Sequence, residues 1–122
     1  MTRTPKALVR ELVEAYNAKA LDRLLDLYRP DARFWDPFHR EGLTGREAIG
    51  DAIRDLFERL PDEQMAIETL AADETYAVAE FRSTGTAPSG RPYQLEFTEV
   101  YEVTNGQIAS CHVYIDTEQI PA

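Results

Sequence analysis

A chain of 122 residues is one domain's worth, and 1–122 is read as a single domain. Its composition, 43% hydrophobic and 29% charged, is that of a folded globular domain and excludes a disordered tail. The 13 Lys+Arg against 22 Asp+Glu leave a net charge of −9, which repels phosphate backbones and anionic lipid, so neither nucleic acid nor a membrane is an expected partner.

Thr4 as a cap and Pro5 at the first helical position open a helix with Leu8, Val9, Leu12, Val13 and Tyr16 on one face. A second short helix carries Leu21, Leu24, Leu25 and Tyr28 and ends at Pro30. Asp31 to Asp36 reads as a short strand stopped by Pro37, followed by a loop from Phe38 to Leu43. Thr44-Gly45-Arg46-Glu47 reads as a capping box for a third helix, in which Ile49, Ala52, Ile53, Leu56, Phe57 and Leu60 recur at helical spacing and Gly50 falls on the polar side. From Glu63 onward the period becomes two, with strands near 63–71, 75–84, 93–104 and 107–117. Helices first and a strand meander after them predict an α+β fold, with the helices on one face of an antiparallel sheet.

Residue types alone bear on the chemistry. Cys111 is the sole cysteine, so no internal disulfide forms, and it is expected as a buried, inert thiol. His39 and His112 lack closely spaced His or Cys partners, so no metal site is expected. No apolar run approaches a bilayer span and the first residues lack a signal-peptide pattern, which makes a cytoplasmic location the expectation.

The strand at 93–104 is the most informative. Tyr93, Leu95, Phe97, Glu99, Tyr101 and Val103 share one face, which is apolar but for Glu99 and should point at the helices. A carboxylate there faces a cavity, or it is ion-paired with an Arg or Lys, or the strand end reaches water. Its partner across the last hairpin depends on the turn. A two-residue Asn105-Gly106 turn brings His112 opposite Glu99; a three-residue Thr104-Asn105-Gly106 loop brings Cys111 there. The apolar row Ala109, Cys111, Val113 and Ile115 favours the three-residue loop, with His112 on the outer face. That outer face would also carry Val100, Ile108 and Tyr114, more apolar than a monomer surface needs, and a homodimer through it is expected. Asp36 is the second carboxylate of interest, although an Asp before Pro is also an ordinary turn residue.

The order of elements, and the strings Tyr16-Asn17-Ala18, Pro30-Asp31-Ala32, Asp36-Pro37, Leu43-Thr44-Gly45-Arg46-Glu47-Ala48-Ile49, Ser83-Thr84-Gly85-Thr86, Asn105-Gly106-Gln107-Ile108 and Val113-Tyr114-Ile115-Asp116, resemble the SnoaL-like and ketosteroid-isomerase-like branch of the nuclear-transport-factor-2-like superfamily. The resemblance implies a cone: a strongly curved antiparallel sheet packed on three N-terminal helices, a pocket inside, and commonly a homodimer. In the isomerases the general base is the Asp before a Pro, nine residues ahead of the helix-leading Gly, which here is Asp36. The oxyanion-holding acid on the penultimate strand corresponds to Glu99. The family's Tyr on the first helix corresponds to Leu12, and Tyr16, one turn later, is the substitute. The cyclases' acid on the last strand would fall where Cys111, Val113 and Ile115 stand, and Arg82, the nearest candidate for an epoxide hydrolase's arginine, is expected on the outside.

The resemblance thus implies a cofactor-independent isomerase or lyase acting on a small apolar carbonyl compound. Asp36, Glu99 and Tyr16 would be catalytic, and Leu12, Phe34, Phe57, Phe97, Tyr101, Cys111 and Val113 would form ligand-binding walls. The alternatives are a non-catalytic binder of a hydrophobic small molecule and a dimeric scaffold domain. The fold superfamily hosts all three.

Overall fold

The computed structural model describes residues 3–120. Helix α1 runs Pro5–Asn17, with Thr4 accepting the amide of Ala7 and Pro5 in the first turn; Leu8, Val9 and Leu12 are buried along one stripe. Helix α2 is short, Leu21–Leu25, and stops before Tyr28, which instead opens strand β1 at Tyr28–Asp36. Pro30 therefore lies in β1 rather than ending a helix. The segment read as a loop is strand β2, His39–Thr44, paired with β1 across a tight turn at Pro37-Phe38.

Helix α3 spans Arg46–Arg59. Its N-cap is Gly45, with φ of +92°, and no side-chain capping bond forms; Thr44 belongs to the β1–β2 ladder instead, so the predicted capping box is not used. Gly50 is buried, not on a polar face: a Cβ there would lie 2.8 Å from Leu25 Cδ1, so the missing side chain is what lets α2 approach α3.

The remaining strands are β3 (Gln64–Ala72), β4 (Tyr76–Thr86), β5 (Pro92–Thr104) and β6 (Gln107–Ile115). One six-stranded sheet results, in the order β2-β1-β6-β5-β4-β3. All neighbours are antiparallel except β1 and β6, which pair in parallel. That pairing brings the first strand of the chain beside the last. Curvature of the sheet around the helices makes an α+β cone, with Leu8, Leu24, Ile49, Phe81, Tyr101 and Ile108 in its core.

The β5–β6 hairpin corrects the predicted loop. Thr104 pairs with Gln107 across a two-residue Asn105-Gly106 turn, with φ of 52° and 74°, as such turns require. Register then shifts by a bulge, since Val103 pairs with Ile108 and Glu102 with Ser110. Beyond the bulge Cys111 lies opposite Tyr101, and Glu99 opposite Val113. His112 pairs with Val100 on the outer face, as the apolar row required, but Ile108 turns inward and is fully buried. Among the described residues, no helix is long and apolar enough to cross a membrane.

Candidate functional site

The helices do not fill the cone. A cavity of about 860 Å³ lies between α1, α3 and the inner face of the sheet. Asp36, Glu99 and Tyr16 all line it, as do Leu12, Phe34, Phe97 and Val113. Three predicted wall residues do not. Phe57 packs edge-on against Tyr16, with ring centroids 5.1 Å apart, on the side away from the cavity. Tyr101 and Cys111 are fully buried behind Glu99, so they touch the carboxylate and not the cavity.

Glu99 is set by the alternation of β5, which puts it between Phe97 and Tyr101. Its Oε1 accepts from the Tyr101 hydroxyl at 2.5 Å and from the Cys111 thiol at 3.4 Å. Neither the ion pair nor the wet strand end describes it. Burial raises its pKa above the ordinary carboxylate range. The two hydrogen bonds oppose that rise, and the nearby charges of Glu63 and Asp36 reinforce it. With Oε1 taking both donors, the proton of the acid form belongs on Oε2.

Asp36 ends β1, and the turn behind it supplies its partners. Its Oδ1 accepts from the amides of Phe38 at 2.9 Å and His39 at 2.8 Å. The ring Nδ1 of His39 lies 2.9 Å from the same oxygen. The same oxygen already accepts two amides, so the contact is read with Nδ1 of His39 as the donor. Three donors on one oxygen fix the carboxylate's orientation. His39 also lines the cavity. Sequence reasoning missed this residue; the signal was a His on the far side of a two-residue turn from the Asp, which is visible only once 39–44 is recognised as a strand.

Tyr16 does not reach toward Glu99. Its hydroxyl donates to Oε1 of Glu63, a residue that sequence reasoning also missed. Glu63 is buried immediately before β3, and its Oε2 accepts from Ser83 at 2.6 Å and Tyr93 at 3.1 Å. Lys19 donates to its backbone carbonyl at 2.6 Å. The available signal was the period of two, which puts Glu63 on the same side as the buried Met65. Burial, then the charge of Glu63, raises the pKa of Tyr16 well above that of an ordinary phenol.

Cys111 is buried and its thiol is pushed up, first by burial and then by Glu99. Arg82 bridges Glu68 and Glu96 on the outer face, as expected. Among the described residues no group of three His, Cys, Asp or Glu side chains is arranged to hold a metal ion.

The family model of the SnoaL-like domain matches residues 9–111. Among solved structures, the chain is similar to SalBIII, an epoxide hydrolase/cyclase-like enzyme of pyran ring formation in the polyether salinomycin (18% identity, TM-score 0.84, 97% of this chain and 95% of that one). It is similar to IdmH of Streptomyces antibioticus, a candidate polyketide cyclase (21% identity, TM-score 0.83, 96% and 95%). It is also similar to a protein of ketosteroid isomerase-like fold from Catenulispora acidiphila DSM 44928, in complex with trimethylamine (17% identity, TM-score 0.85, 97% and 91%). At these identities the likeness is one of fold. No curated protein matches the chain.

Proposed function

Because the chain belongs to the SnoaL-like domain family, we propose that it is a small-molecule enzyme, a cofactor-independent isomerase or lyase in which Asp36 is the base and Glu99 the acid. The observation that carries this reading is that two carboxylates in unlike surroundings line one largely apolar cavity. Asp36 removes a proton from the carbon next to a carbonyl. Glu99, whose pKa burial raises, donates in its acid form a hydrogen bond to the oxygen on which charge develops. Return of the proton to another carbon isomerises the substrate; departure of a leaving group from the neighbouring carbon makes the reaction a lyase's. His39 positions Asp36. The cavity volume is within the range that takes a drug-sized molecule.

The test uses 2-tetralone, a bicyclic ketone with an acidic α-hydrogen, in deuterated buffer. The protein should speed deuterium incorporation seen by NMR, and Asp36→Asn should remove the enhancement, a loss of about 10²–10⁴-fold. Binding of 2-tetralone without faster exchange would support the second reading, a non-catalytic binder. One observation favours it: Leu12, at the position corresponding to the isomerases' tyrosine, is apolar and buried.

The reading includes a homodimer through the outer face. Trp35, His112 and Tyr114 stack there, with centroids 4.7 and 5.2 Å apart, and Tyr114 is 56% exposed. Such an aromatic row favours a partner. Sedimentation at tens of micromolar should give a dimer, and Tyr114→Glu should shift it toward monomer; a wild-type monomer would refute this part.

A further inference from the structure

The proposed chemistry uses one end of the cavity and leaves the other, at Glu63, without a role. That end is an unusual construction. A buried carboxylate receives three hydroxyl protons, from Tyr16, Ser83 and Tyr93. A carboxylate is an acceptor and has no proton to offer, and each hydroxyl has one. All three are therefore spent inward. Burial and the charge of Glu63 hold the phenols of Tyr16 and Tyr93 above their ordinary range, so both keep the protons they donate. What Tyr16 and Glu63 present to the cavity is lone pairs. Of the cations nearby, Lys19 donates to the backbone carbonyl of Glu63, and Arg59, which also lines the cavity, gives its Nε to Asp55 at 3.0 Å.

We infer that the Tyr16–Glu63 pair is a second docking pole that accepts hydrogen bonds and gives none, so that the ligand carries a hydroxyl or N–H group at the end opposite its reacting carbonyl. This rests on the cavity being a ligand site, not on which carboxylate does the chemistry. Asp36 ends β1, and Ser83, which holds Glu63, is on β4, three strands away in the sheet. A ligand reaching both poles is polar at each end and apolar between. An unadorned hydrocarbon ketone, or one ending in an ether or ester, leaves this pole unsatisfied, and unsatisfied buried acceptors discriminate against such a molecule.

The test compares 2-naphthol with 2-methoxynaphthalene, which keep the same ring and oxygen but differ in the proton. Fluorescence titration of the wild-type protein should show 2-naphthol binding at least about tenfold tighter, equivalent to roughly 1.4 kcal/mol. Glu63→Gln preserves shape but supplies an N–H, which turns a hydroxyl proton toward the cavity; the preference should fall to within about twofold. Asp36→Asn should leave it unchanged. Equal binding of the two probes to wild type, or no saturable binding of 2-naphthol, overturns the inference. So does a preference lost in Asp36→Asn and kept in Glu63→Gln. If Glu63→Gln fails to fold, Asp36→Asn carries the decision: a preference kept there supports the pole, and one lost there overturns it. Failure of deuterium exchange would sink the assignment of Asp36 and leave this pole standing.

Discussion

The cavity is lined by two glutamates that solve the same problem differently. Glu63 is buried and well supplied: three hydroxyls converge on its two oxygens and fill three of about four acceptor sites. Glu99 is half-buried and has one hydroxyl and one weak thiol donor, both on Oε1. A charge withdrawn from water is tolerable when donors surround it and costly when they do not. Burial accordingly raises the pKa of Glu99 above the ordinary carboxylate range, whereas Glu63 is held in place by its donors.

The comparison breaks most plainly at Glu63. Glu63→Leu removes the acceptor of three hydroxyls at once and should cost about 3 kcal/mol or more, read as a lower urea midpoint. An unchanged midpoint would mean that the three hydroxyls are not held as described.

A sharper contrast comes from pH. Glu99 has a folded-state pKa above its unfolded value of about 4.3, so its favourable contribution is fully present below that pH and is lost as pH rises through the folded value. Glu99→Gln, which keeps the oxygen that Tyr101 needs, should therefore gain stability relative to wild type as pH rises from about 4 to 8. Parallel stability curves across that range would refute the raised pKa.

The smallest effect is at Gly85, which pairs with Tyr93. A Cβ there would lie 2.8 Å from the Tyr93 hydroxyl. Gly85→Ala should push that hydroxyl off Glu63 and cost about 1 kcal/mol, less than Glu63→Leu because Tyr16 and Ser83 still donate. Thermal melts of the two variants test the ranking.

Much of this molecule was legible in the residue order. Period 3.6 in the first and third helices, and period two from Glu63 onward, are imposed by burying one face of each element, so the α+β class followed from local pattern. The inward aim of Glu99 followed in the same way, because a strand alternates whatever its neighbours are. Elements that depend on distant partners did not follow. Residues 39–44 carry no clear alternation and are a strand because β1 offers them an edge. Thr44-Gly45-Arg46-Glu47 has the letters of a capping box, but the ladder with Arg33 claims Thr44. The bulge between Ile108 and Ser110 lets the hairpin keep its favoured two-residue turn and still bury the apolar row, a compromise that neither signal alone contains. The cavity residues divide along the same line. The sequence by itself determined that Asp36 and Glu99 are carboxylates in apolar company. That His39 grips one of them, that Tyr16 donates its hydrogen bond to Glu63, and that both carboxylates line one cavity were decided by contacts 47 positions apart or across a turn, which a one-dimensional pattern does not encode.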